Sequence, residues 1–243
     1  MTGAFFREMG VSELLELQHV EGAYQRWAPI YDLVFGPVFR QGRSAAIAAA
    51  ERIGGRILEV GVGTGISLPG YSAASCIVGV DISEAMLKKS RRRVDALGLH
   101  NVERIAVMDA EDLDFEDGEF DVVVAQYVIT AVPNPERALD ELARVVRPGG
   151  EIVITTRVGA EDGVRAKIEK ALMPVTSRLG FRTEFAFARY TDWAALNRTV
   201  QLVEKRDLPP LGHFSLVRFK KLGPVAPEQG GALPQHRGKE KFQ

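Results

Sequence analysis

Along the middle of the chain, short β-rich apolar runs alternate with segments whose apolar residues recur at helical spacing. RILEV (56–60), CIVGVD (76–81), IAVMD (105–109), FDVVVAQYVI (120–129) and EIVITTR (151–157) read as strands, several of them ending in an acidic residue. Between them, SEAMLKKSRRRVDALG places Met86, Leu87, Val94 and Leu97 on one helical face. PERALDELARVVRPGG starts a helix at Pro135 and closes it at Pro148-Gly149-Gly150. Strands alternating with helices predict an α/β domain, a parallel sheet wound on both faces. Two later runs, TVQLVEKRDL (199–208) and HFSLVRFKK (213–221), are joined by Pro209-Pro210-Leu211-Gly212, too short a link for a crossover helix. They predict an antiparallel hairpin at one sheet edge.

The two ends follow other patterns. AFFREMGVSELLELQHV near the N-terminus offers Phe5, Phe6, Met9, Val11, Leu14, Leu15 and Leu17, interrupted by Gly10. This suits an amphipathic helix, lying in a lipid headgroup region or docked on the sheet, and its mostly acidic charges weaken the first reading. YQRWAPIYDLVFGPVF (24–39) then crowds tyrosine, tryptophan and phenylalanine around Pro29 and Pro37, which interrupt any helix there. After Gly223 the tail PVAPEQGGALPQHRGKEKFQ has no period and is expected to be disordered. The expected organisation is therefore an N-terminal helical lid and membrane-contact segment over 1–45, one domain over 46–223, and a tail over 224–243.

Composition narrows the function classes. A chain of 243 residues, 46% hydrophobic and 26% charged, can bury a full α/β core. Its single cysteine, Cys76, excludes an intrachain disulfide, and no Cys/His cluster has metal spacing, so a reducing cytoplasm and a metal-free site are expected. Residues 1–20 lack the features of a signal peptide. The longest apolar stretch, FDVVVAQYVITAV (120–132), falls short of the roughly 20 residues that a membrane span needs, so membrane contact should be peripheral. A net charge of −1 gives no general attraction to nucleic acid. The local run KKSRRR (88–93) reads mainly as a solvated helix face, with contact to anionic headgroups as the lesser reading.

The chemistry centres on ILEVGVGTGISL (57–68). Gly61, Gly63 and Gly65 follow the first strand, where glycine lets the backbone approach a ligand closely. A dinucleotide fingerprint would place its third glycine where this chain has Ile66. Glu59, in the strand just before the loop, is unhelpful to a phosphate and useful to a cation or amine. A lone acid in an apolar strand is costly, which favours a ligand role over bonding loop amides. Asp81 ends the second strand about 20 residues on, where an acid takes ribose hydroxyls in nucleotide-binding α/β folds; Ser83 is able to cap the following helix in its place. Asp109-Ala110-Glu111 ends the third strand and suits an adenine amino group, although strand-end acids are as often solvated. Ribose, adenine and an amino-acid cation together describe S-adenosylmethionine. Gln126 and Tyr127 stand where a methyl acceptor would enter, beyond the strand carboxyl ends.

The series E-V-G-x-G-T-G, V-x-V-D-x-S-x-x-M-L, D-A-E-D-L, F-D-V-V-V and R-V-V-R-P-G-G resembles class I S-adenosylmethionine-dependent methyltransferases over residues 50–221. The resemblance implies a Rossmann-like, seven-stranded sheet whose last strand is antiparallel. YQRWAPIYDLVFGPVFRQGR is similar to the same stretch of bacterial, Rhodobacter-type phosphatidylethanolamine N-methyltransferases, which carry that lipid toward phosphatidylcholine. Quinone C-methyltransferases share a related Y-D-x-x-N signature, from which this chain departs at Phe35. A non-catalytic S-adenosylmethionine-binding module is the third reading.

The cofactor set expected from this resemblance is Tyr24, Tyr31, Glu59, Gly61, Gly63, Gly65, Asp81, Ile82, Met86, Asp109, Ala110, Glu111 and Gln126. For the acceptor, Tyr24, Trp27 and Tyr31 would form an aromatic lid, with Trp27 the better packing residue. Cation–π attraction of about 0.5–2 kcal/mol per ring tolerates an amine through every methylation state. Tyr127 and His213 join the acceptor side. In the insert before the hairpin, Arg178, Arg182 and Arg189 supply basic charge, and Arg189-Tyr190 is the expected grip on the lipid phosphate. Tyr31, Gln126 or His213 would steer the amine proton; His213, like Cys76, otherwise reads as structural. The expected protein is a monomer at the inner face of the cytoplasmic membrane, with a phospholipid substrate, an anionic membrane surface as partner, no nucleic acid and no metal.

Overall fold

A computed structural model describes residues 36–157, 186–209 and 214–223. Within these, the elements in chain order are α1 (Gly36–Glu51), β1 (Arg56–Val60), a 3-10 turn (Leu68–Gly70), β2 (Cys76–Asp81), α2 (Glu84–Leu97) and β3 (Val102–Val107). They continue with β4 (Phe120–Gln126), α3 (Pro135–Val145), β5 (Val146–Arg157), α4 (Phe187–Asn197), β6 (Val200–Leu208) and β7 (Phe214–Lys221). The strands form one seven-stranded sheet in the order β3-β2-β1-β4-β5-β7-β6. β1 to β5 pair in parallel, and β7 runs antiparallel to both of its neighbours.

Two-residue alternation sends the strand side chains to opposite faces, each covered by helices. Ile57, Ile77, Val122, Val124, Val153 and Leu216 meet Ala46, Ala49 and Ala50 of α1 and Leu87 of α2. Leu58, Val60, Val123, Ile152, Ile154 and Phe219 meet Ala138, Leu139 and Leu142 of α3 and Tyr190 and Trp193 of α4. The alanines of α1 recur three and four apart, so their small side chains let the helix lie close against the sheet. α2 begins at the cap Ser83, whose side chain accepts from the Met86 amide, and stops at left-handed Gly98.

The structure moves several boundaries. β4 stops at Gln126, short of residue 129, because Tyr127 turns to a left-handed φ of 61°. β3 starts at Val102 and ends at Val107, earlier than the run read from sequence. Pro148-Gly149-Gly150 lies inside β5, where the register against β4 shifts, and not beyond the end of α3. The predicted hairpin pairs as expected, but β7 is inserted between β5 and β6, leaving β6 at the edge. α1 runs continuously across position 45, where the lid was expected to end. Most of the expected lid and the whole tail lie outside the described residues.

Candidate functional site

β1 sends Glu59 to the same face as Ile57, the α1 side, at a strand end where the glycine loop begins. The side chain is 2% exposed. Its Oε1 accepts from Ser67 Oγ at 2.5 Å and from Gln126 Nε2 at 3.1 Å. Its Oε2 is buried with no partner among the described residues. Burial pushes the Glu59 carboxyl up to about 7, with Ser67, Tyr71 and the Arg43 charge pulling it partly back. The Tyr71 hydroxyl lies near both Glu59 and Gln126, yet among the described residues neither it nor Gln126 Oε1 meets a partner at hydrogen-bonding geometry.

Buried polar atoms are rarely left unpaired, and an unpaired oxygen of the acid with two more beside it marks a place for donors from elsewhere. An ammonium brings three donors and a charge that favours the ionised carboxylate. The cluster therefore fits the amino group of S-adenosylmethionine.

The loop itself is held from three sides. Gly61 and Val62 both donate their amides to the Val80 carbonyl, at 2.8 and 3.0 Å. Gly61 has φ 74°, and a Cβ there would stand 2.3 Å from Val128, so the loop packs against the segment after β4. Gly65 has φ 70°, and its missing Cβ leaves room for Ser90 of α2. Asp81 accepts from the Gly63 amide through Oδ2 and from the Ser83 amide through Oδ1, both at 2.9 Å. Burial raises its pKa and these two amides restrain the rise. Asp81 thus fastens the loop to the start of α2. Ile82, 45% exposed, stands beside it at the carboxyl edge of the sheet, and Met86 is half-buried one turn into α2.

At the third strand the expected residues part company. Asp109 Oδ1 caps the Glu111 amide at 2.9 Å, and Ala110 is buried. Glu111 is turned inward: its two oxygens accept from the Asn134 amide and side chain at 2.7 and 2.9 Å. Its carboxylate anchors the start of α3 where adenine contact was expected. Gln126 likewise commits its side-chain nitrogen to Glu59, an orienting contact.

On the acceptor side, the Tyr127 ring wedges between Phe39 and Phe214, with centroids 4.4 and 5.3 Å away. Burial pushes its hydroxyl up to about 12. Of the phosphate grip expected at Arg189-Tyr190, the structure turns Tyr190 away from the surface and occupies Arg189 with an acid. Tyr190 is fully buried with its hydroxyl on Thr156 at 3.1 Å, and Arg189 forks onto Glu136 at 2.8 and 2.7 Å. Nor is the basic run wholly solvated, since Arg93 reaches the Thr64 carbonyl in the glycine loop. Tyr24, Trp27, Tyr31, Arg178, Arg182 and His213 lie outside the described residues. Ser67, Tyr71 and Arg43 were not anticipated; each belongs to the Glu59 cluster only through the fold, with no spacing that marks it.

Residues 58–154 match the family model described as a methyltransferase domain. Over 207 residues the chain is 42% identical to a phosphatidylethanolamine N-methyltransferase of Cereibacter sphaeroides, covering 85% of this chain and 100% of that protein. It is 38% identical over 136 residues to a demethylmenaquinone methyltransferase of Clavibacter sepedonicus, covering 56% of this chain and 54% of that one. Among solved structures, the YcgJ protein of Bacillus subtilis shares the fold with a TM-score of 0.62 at 19% identity, over 75% of this chain and 98% of that chain. An S-adenosylmethionine-dependent methyltransferase of Aquifex aeolicus shares it with a TM-score of 0.52 at 18% identity, over 68% and 80%.

Proposed function

The chain belongs to the class I S-adenosylmethionine-dependent methyltransferases, and from that membership we propose that it N-methylates the phosphatidylethanolamine headgroup and its mono- and dimethylated forms toward phosphatidylcholine. One observation carries the choice of substrate. The similarity to the Cereibacter protein runs the full length of that protein, well beyond the shared domain at 58–154, whereas the similarity to the Clavibacter quinone enzyme spans about half of it. A shared sheet is common to many activities, so likeness in the parts around it bears on the acceptor.

When bound, S-adenosylmethionine supplies an electrophilic methyl on a sulfonium. Glu59, oriented by Gln126 and Ser67, is the proposed holder of its amino group, Asp81 of its ribose, and Asp109 with the Ala110 backbone of its adenine. The glycines leave the loop open to close approach. For the acceptor, the chain must present a neutral amine at about 3 Å from the reacting carbon, in a pocket shielded from water. Tyr31 and His213 are the proposed handlers of the amine proton, and Tyr24, Trp27 and Tyr31 the aromatic faces that accept successive methylation states. Contact with anionic lipid at the inner membrane face is proposed to be peripheral; among the described residues no helix is long and apolar enough to cross a membrane.

Expression of this chain in a host that lacks phosphatidylcholine tests the proposal. Thin-layer separation of the lipids should reveal mono-, di- or trimethylated phosphatidylethanolamine. Unchanged phospholipids alongside methylated quinone would overturn it in favour of C-methylation.

A further inference from the structure

We propose that Arg93 is a positioning residue for S-adenosylmethionine, acting through the backbone of the glycine loop. This rests on the loop being the cofactor's binding site, and not on the identity of the acceptor. Three residues of α2 at i, i+3 and i+6 share one face toward the sheet and the loop. Leu87 is buried in the core, Ser90 is buried beneath Gly65, and Arg93, one turn further, donates from its guanidinium to the Thr64 carbonyl and lies 3.4 Å from Thr64 Oγ1. The neighbouring cations do other things. Lys88, Lys89 and Arg92 are exposed, and Arg91 pairs with Glu84 at 2.8 Å. The basic run is thus divided, with one member turned to the loop.

Thr64 is where such a contact has most effect. It lies between Gly63 and Gly65, both in left-handed conformations, so its peptide is flanked by the two residues least able to hold a backbone still. The adjacent groups are already tied: Gly63 gives its amide to Asp81, and Gly65 gives its amide to the Val62 carbonyl at 2.9 Å. Arg93 supplies the tie on the carbonyl between them. A charged donor makes a stronger hydrogen bond than a neutral one and reaches from a rigid helix, so it selects one loop conformation before the ligand arrives.

Removing the tie should leave the sheet intact and lower affinity by about tenfold, the scale of one charge-assisted hydrogen bond. The test measures S-adenosylhomocysteine binding by calorimetry and hydrogen exchange of the 61–66 amides in the intact chain without ligand. Arg93→Ala is expected to bind about tenfold more weakly with faster exchange in the loop, while Arg92→Ala, an exposed neighbour, behaves as the parent chain. Arg93→Lys, which keeps the charge and one donor, should recover part of the affinity, and Arg93→Gln, which removes the charge, takes the place of the alanine variant if that does not fold. Parent-like affinity and loop exchange in Arg93→Ala, or in Arg93→Gln in its place, would overturn the proposal, as would an Arg93→Lys affinity no better than that variant's. Failure of the parent chain itself to bind S-adenosylhomocysteine would overturn the cofactor site on which it rests.

Discussion

Glu59 is held in the folded chain at the boundary between its two charge states, because burial opposes ionisation and only part of its surroundings favours it. Its folded pKa, about 7, lies above the ordinary 4.5, so the folded chain holds the proton more tightly than the unfolded one. The resulting stability is full below pH 4.5 and is lost as pH rises through 7, to a total of roughly 3 kcal/mol. Glu59→Gln should therefore flatten the decline in melting temperature between pH 5 and pH 8. Ligand binding should run the other way. An ammonium prefers the ionised carboxylate, so affinity for S-adenosylhomocysteine should fall as pH drops from 8 to 6, approaching tenfold per unit below the folded pKa. The glutamine variant should bind weakly at every pH. Calorimetry across that range checks both expectations, and a parent affinity indifferent to pH would remove Glu59 as the amine's partner.

Between elements, the site depends on loops that have no regular structure of their own yet interlock. Gly61 faces Val128, Gly63 is tied to Asp81 at the end of β2, and Glu111 after β3 anchors Asn134 at the head of α3. Each loop sits at the carboxyl end of a parallel strand, where the helices turn away and leave room. Gly61→Ala meets two penalties: a left-handed backbone, about 1–2 kcal/mol for a residue with a side chain, and the collision with Val128. Its melting temperature should fall by about 2–4 °C per kcal/mol lost. Adding Val128→Ala relieves the collision and leaves the backbone cost, so the double variant should melt above a simple sum of the two single losses. Additive losses in thermal denaturation would mean that the two loops do not press on one another.

For the molecule as a whole, the carboxyl edge of the sheet is the proposed cofactor end, and the segments around it are the proposed place of the acceptor. The surface proposed to meet lipid includes the apolar N-terminal stretch, Phe5 to Leu17, together with the exposed cations Lys88 and Lys89 on α2. Deleting residues 1–18 should reduce co-sedimentation with anionic vesicles several-fold while S-adenosylhomocysteine affinity stays within about twofold of the parent, and added salt should weaken sedimentation of the full chain. A truncated chain that sediments as well as the intact one would assign that stretch to packing on the sheet.

What the sequence determined by itself was local. The strand runs, the Ser83 cap, the Pro135 helix start, the glycines of the loop and acids at the ends of β1 and β2 all lie within a few residues of the features they specify, so propensity and spacing reveal them. The seven strands and the antiparallel last strand were likewise legible through the resemblance. The tertiary structure decided whatever depends on distant partners. Gln126 reaches Glu59 across 67 positions of chain, Arg93 reaches Thr64 across 29, and Tyr190 meets Thr156 across 34. In sequence, Arg189-Tyr190 resembles an exposed phosphate grip and Arg93 one more cation in a solvated run. Only folding, which turns the Tyr190 ring into the core and brings the third turn of α2 beneath the glycine loop, assigns their contacts, because a side chain's partners are set by which elements the chain packs together.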